Sequence, residues 1–155
     1  MGTPSKELLE AEGTLRYVIE NLIDAQEGFQ TIGEGVKNDT LKRFFLTESL
    51  KRAQFRGDLE SILHQEGVRD IKETGTAAGA FVRAWNGIKA RLGIGEDGLL
   101  QAAEEAEHTM IEAYNDALSR DLPSPMRLML AEQALWIVAS HNSIRTARIN
   151  GELPA

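Results

Sequence analysis

Apolar residues recur along the chain at spacings of three and four, with no β-branched alternation of strand length. Leu15, Val18, Ile19, Leu22, Ala25, Phe29 and Val36 share one stripe, which predicts a first helix over about 5–35. Leu41, Phe44, Phe55, Leu59 and Ile62 predict a second over about 40–66, with Asn38-Asp39 as its cap and Gly67 just past its end. A polar stretch follows. Phe81, Trp85, Ile88 and Leu92 then mark a shorter helix over about 76–92. Leu100, Ala103, Met110, Tyr114, Ala117 and Leu118 predict a helix over about 98–120, which Asp97 can cap. After the break at Leu122-Pro123-Ser124-Pro125, with Ser124 as cap and Pro125 at the first helical position, Met126, Leu130, Ala134, Ile137 and Ile144 predict the last helix, over about 125–150, with Gly151 as its stop.

Four long amphipathic helices bury their stripes most simply as a four-helix bundle, and 155 residues make a single all-α domain over 1–155. The polar residues inside the stripes bear on topology. Gln26, Glu48, Glu107, Gln133 and His141 point inward, with Arg52 and Glu104 at the margins. At about 1.5 Å per residue, Glu48 lies roughly 12 Å and Gln26 roughly 15 Å from the end where the second helix starts. If the connection between the second and third long helices runs the length of the bundle, Glu107 falls at roughly 13 Å and His141 at roughly 10 Å. With a short connection they fall at roughly 20 and 24 Å. Scattered buried charges are costly, so the expected topology has a long crossover that contains the extra short helix. Glu20, Asp24 and Glu27 align on the opposite side of the first helix and read as a solvated face. His64 and His108 read as surface residues, and Gly28 and Gly33 as places where helices approach closely or as local weak points.

Composition removes several functions. The chain has no cysteine, so a disulfide framework, a thiolate metal site and a cysteine nucleophile are excluded. A net charge of -7 argues against nucleic acid as a partner. No apolar run reaches the roughly 20 residues of a membrane span, which argues against integral membrane association. The polar, acidic N-terminus lacks the apolar core of a signal peptide, and the expected location is the cytoplasm. Glycines 75, 79, 93, 95 and 98 follow no strand and form no phosphate loop, and no nucleophile elbow is present.

The order Asp24-x-x-Glu27-Gly28-Phe29, Arg52-Ala53-Gln54-Phe55, Asp58-Leu59, Arg83-Ala84-Trp85, Lys89, Glu104-x-x-Glu107, Ala113-Tyr114, Leu122-Pro123, Gln133, His141 and Ile144-Arg145 resembles a bacterial family of ferritin-like four-helix-bundle proteins of unassigned function. The resemblance runs from about Leu15 to Arg148 and implies a ferritin-like bundle with a helix in the crossover. It implies no activity. The wider ferritin-like superfamily implies a di-iron pattern, with an inward Glu on two helices and Glu-x-x-His on the other two. Here Gln26 stands where a ligand carboxylate is needed, Val138 breaks Glu-x-x-His before His141, and the second helix has no inward His. Glu48, Glu107 and His141 remain, with Glu104, Gln26 and Gln133 beside them.

Three readings follow. The favoured one is a non-catalytic bundle acting as a structural or stress-related interaction protein, without a cofactor, in which Glu107 pairs with His141 and Glu48 with Arg52. A second is a mononuclear or reduced di-iron-like site, in which Glu48, Glu107 and His141 hold iron, manganese or zinc for a redox or metal-sequestering role. A third is a binding module on the apolar stripe of Phe81, Trp85, Ile88 and Leu92, flanked by Arg83, Lys89 and Arg91, which can lie on a membrane surface or a partner. The stripe most simply packs on the bundle or forms part of a homodimer contact, and Trp136 is buried either by this helix or by a second subunit.

Overall fold

A computed structural model of the chain describes residues 6–68, 95–151 and 153. Among these residues four helices carry the fold: α1 (Lys6–Gly35), α2 (Asp39–Gln65), α3 (Glu96–Leu118) and α4 (Ser124–Asn150). Among the described residues all regular structure is helical. The expected short helix over 76–92 lies outside them.

Local chemistry explains where each helix begins and ends. The Asn38 Oδ1 accepts the Leu41 N–H at 3.0 Å, satisfying a backbone donor that the first turn of α2 cannot. At the other end Gly67 takes φ 93°, and the chain doubles back. The Val68 N–H reaches the Leu63 carbonyl at 2.9 Å and the Gly67 N–H reaches that of His64 at 3.0 Å. That pair of bonds needs a left-handed residue, which glycine adopts without steric cost. Gly151 closes α4 in the same region, with φ 81°. Two expected caps differ. Gly95, not Asp97, stands at the cap position of α3 and offers no side-chain bond. The first-turn carboxylate of Glu96 instead reaches across to accept the Asn38 N–H at 3.1 Å. Pro123 takes the cap position of α4, and Ser124 lies inside the helix with Pro125, whose missing N–H costs nothing in a first turn.

α1 packs against α2 and α3, and α4 packs against α3 and α2, so α1 faces α4 and α2 faces α3 across the diagonals of the bundle. The Asn38–Glu96 bond places the start of α3 beside the start of α2. Asn38, Leu41, Leu100 and Ala147 line one cavity at this end, so α4 also finishes here. α2 and α3 therefore run parallel to one another and antiparallel to α1 and α4.

The core follows the apolar stripes, with two instructive departures. Phe45, stacked on Phe29 at 5.8 Å between centroids, is fully buried, and Phe44 is half-buried with its ring edge-on to Phe45. Asp24, expected on a solvated face, is buried, whereas Glu27 is exposed as expected and Glu20 is half-buried. The reason is that residues 21–25 are all buried. A helix with two packed neighbours hides a wider arc than its apolar stripe alone suggests. Gly33 is a close approach, as its position suggested. A Cβ there would lie 2.8 Å from the Leu46 Cγ and Cδ2 and 3.2 Å from the Leu46 backbone nitrogen. The Lys42 ammonium also donates to the Gly33 carbonyl at 2.8 Å, and the Ser49 hydroxyl to that of Gln26 at 2.8 Å, which ties α1 to α2.

Two glycine substitutions should separate packing from helix propensity. Gly33→Val should destabilise the protein by about 1–3 kcal/mol, because Leu46 and its backbone must move. Gly57→Ala, in the middle of α2 with open space around it, should stabilise by up to about 1 kcal/mol. Urea unfolding of the three proteins measures both.

Candidate functional site

Among the described residues the largest fully buried side chain is a charged one, Arg52. Its place on α2 directs it to the centre of the bundle. Glu48, one turn earlier, lies on the same face, with a carboxylate oxygen 3.8 Å from Arg52 Nη1. Glu107 approaches from α3, across the diagonal, and accepts from Arg52 Nη2 at 2.6 Å. The Phe29 ring of α1 stands under the guanidinium, 5.4 Å from the centroid to Cζ. From α4 the Trp136 indole N–H donates to both Glu48 oxygens, at 2.8 and 3.2 Å. The Lys51 ammonium covers the Trp136 ring at 4.4 Å. One guanidinium and its carboxylates thus join all four helices.

A second polar layer lies further along the core. The Tyr114 hydroxyl donates to Gln133 Oε1 at 2.6 Å, and Gln133 Nε2 donates to the Phe55 carbonyl at 3.3 Å. The third polar group is nearer the surface. Glu104 receives Arg148 Nε at 2.7 Å, with His141 Nε2 and Arg145 Nε each at 3.9 Å.

The sequence candidates therefore divide. Glu48 and Glu107 meet at the centre, and the side chain between them is Arg52. His141 is half-buried and set against Glu104. The partner of Glu107 is Arg52, because the Arg52 stem is long enough to cross the core from α2. Gln133 is inside and bonded, whereas Gln26 is half-buried and uses its backbone carbonyl. Trp136 is exposed at its ring and anchored at its N–H. Phe81, Trp85 and Ile88 lie outside the described residues. Among the described residues no three His, Asp or Glu side chains form a group that could hold a metal ion. The sequence reading missed the central role of Arg52 and the bonds made by Tyr114 and Trp136. The four-residue spacing of Glu48 and Arg52 was the signal for the first. Nothing in the sequence signals the other two, because they join different helices.

Electrostatics follow from burial. Removal from water pushes the Glu107 carboxyl above its ordinary 4.5. The charge and hydrogen bond of Arg52, and the Ser140 hydroxyl, pull it down without cancelling that rise, and the Glu48 charge adds to it. Arg52 cannot lose its proton, so Glu107 is the member of the cluster that yields. Burial also raises Tyr114, which keeps its hydroxyl a donor to Gln133. At the surface, the hydrogen bond from Arg148 to Glu104 raises the guanidinium still further.

These features define an all-helical bundle protein with an ionic centre. The family model described as a domain of unknown function, DUF2383, matches residues 10–120, and the chain belongs to that family. No curated protein matches the chain. The matched region covers α1, α2 and α3 apart from the first residues of α1, so it includes Glu48, Arg52 and Glu107. It ends before α4, which supplies Gln133, Trp136 and His141.

Arg52→Met should destabilise the fold by about 3–5 kcal/mol, since two carboxylates lose their buried counter-charge. The double variant Arg52→Met/Glu107→Gln should recover part of the loss, with a coupling of about 1–3 kcal/mol in a denaturant double-mutant cycle. A raised folded pKa means that the unfolded chain releases the Glu107 proton first. Stability from this group is complete below 4.5 and declines as pH rises towards the folded value. Urea midpoints between about pH 5 and pH 8 should show that decline in the wild type and a flatter profile in Glu107→Gln.

Proposed function

We propose that the chain is a non-catalytic, ferritin-like bundle protein whose centre is closed by an arginine ion pair, and that it acts as a structural or interaction protein through its surface. The observation that carries this reading is the Arg52 guanidinium, 2.6 Å from Glu107 and 3.8 Å from Glu48. It supplies, as a permanent part of the chain, the positive charge that two inward carboxylates require. The parallel run of α2 and α3 supports the ferritin-like connection, with residues 69–94 as the crossover.

The same geometry bears on iron, manganese or zinc, which the superfamily resemblance brought into question. A divalent ion between Glu48 and Glu107 would stand against a guanidinium that has no lone pair to offer. The imidazole that would complete the donor set is turned to Glu104. The side chains in this arrangement do not fit a divalent ion. No helix among the described residues is long and apolar enough to cross a membrane.

Elemental analysis tests the reading. Protein purified without chelator or histidine tag, then incubated with ferrous iron and desalted, should carry far less than one equivalent of iron, manganese or zinc. Near-stoichiometric metal that is lost in both Glu107→Ala and His141→Ala would overturn it.

A further inference from the structure

α4 is apolar on two opposite faces. Met126, Leu130, Gln133, Ile137, Ser140, Ile144 and Ala147 are buried and alternate at spacings of four and three, which is the inner seam. Two margins are also occupied. Trp136 turns to α2 through Glu48, and His141 and Arg148 turn to α3 through Glu104. The remaining sector points away from the bundle, about 180° from the core at 100° per residue. A helix sector in that position is ordinarily polar. Here it carries Leu128, Leu135 and Ile149, exposed to 66%, 74% and 64%, and Val138, exposed to 39%.

These residues keep a strict register. Leu128, Leu135, Asn142 and Ile149 follow one another at seven-residue steps, and Ala131, Val138 and Arg145 fall three residues after each of the first three. An apolar residue every three and four positions is the seam of a two-stranded coiled coil, and a single asparagine at the first seam position is its register device. We infer that this outer face of α4 joins a second copy of the chain, in a parallel two-stranded seam whose two-fold axis runs along α4.

Three features favour a second copy in parallel orientation. Parallel pairing sets Leu128, Ala131, Leu135, Val138 and Ile149 each on its own copy, lets the two Asn142 amides bond one another, and leaves Arg145 opposite Arg145 at one seam position. Antiparallel pairing centred on Leu135 and Val138 would set Leu128 against Arg145 and Ala131 against Asn142. The margins are also complementary. Arg127 and Glu132 flank opposite sides of the seam five residues apart, so parallel pairing places opposite charges along facing margins. Arg127 is held at its margin by the Leu118 and Arg120 carbonyls, at 2.8 and 2.6 Å. Arg145 leans to Glu104, at 3.9 Å, which takes its charge off the axis.

This inference deepens the reading of the chain as a surface-acting bundle by naming the partner. Its test is independent of the metal measurement. The chain has no cysteine, so Leu128→Cys and Ile149→Cys each introduce a single thiol at one end of the seam. Sedimentation of the full-length protein should show a dimer, and both variants should form disulfide-linked dimers under mild oxidation. Leu50→Cys, equally exposed on α2, should not. Leu135→Glu, at a surface position where helix content should be unchanged by circular dichroism, should weaken association by more than about tenfold. A monomeric wild type overturns the inference, including one whose Leu135→Cys thiol resists labelling because residues 69–94 of the same chain cover it. A dimer whose terminal cysteines do not cross-link overturns it as well. Neither result would touch the arginine-centred core.

Discussion

A guanidinium cannot be neutralised by losing its proton, so a bundle that buries one completely must arrange its other helices around it. Arg52 sets that condition here. Its long apolar stem lets it leave α2, lie on the Phe29 ring of α1 and reach Glu107 on α3 across the bundle diagonal. Glu48 supplies the second carboxylate and passes the connection to Trp136 on α4. Sliding any helix by one turn would separate partners that have no water to replace them. The relative levels of all four helices therefore depend on this one group.

The arrangement is expensive as well as specific. Two carboxylates share one cation, and desolvation raises Glu107 despite its contact with Arg52. Among the described residues Arg52 Nε also has no hydrogen-bond partner. An apolar trio of similar volume could hold such a core equally well. The ion pair also ties one level of α2 to one level of α3, because Arg52 reaches Glu107 only where the two residues lie across from one another. The Tyr114–Gln133–Phe55 layer works in the same sense, since its hydroxyl, amide and carbonyl come from three places in the chain.

Much of this was legible along the chain. The Asn38 cap, the glycine stops at Gly67 and Gly151, the inward Glu48, Glu107 and Gln133, and the close approach at Gly33 all follow from spacing and residue type. Other features were not. Asp24 reads as solvated because its angle to Leu22 is large, yet a neighbour on each side of α1 closes that arc. His141 reads as a partner for Glu107 because both fall in their apolar stripes. A rotation of a few tens of degrees is enough to turn it to Glu104 instead. Arg52 reads as marginal because side-chain reach is invisible to a wheel that records only where Cα–Cβ points.

By itself the sequence determined that the chain is helical, where the long helices run and which stripe of each is apolar. Those properties arise within a few turns, from backbone hydrogen bonding, capping and 3.6-residue periodicity. Tertiary structure alone decided which helices are neighbours and that Arg52 rather than an imidazole faces Glu107. Each of these depends on contacts between residues far apart in the chain, such as the 55 positions between Arg52 and Glu107. Local propensity carries no information about a pairing that exists only once the helices have packed.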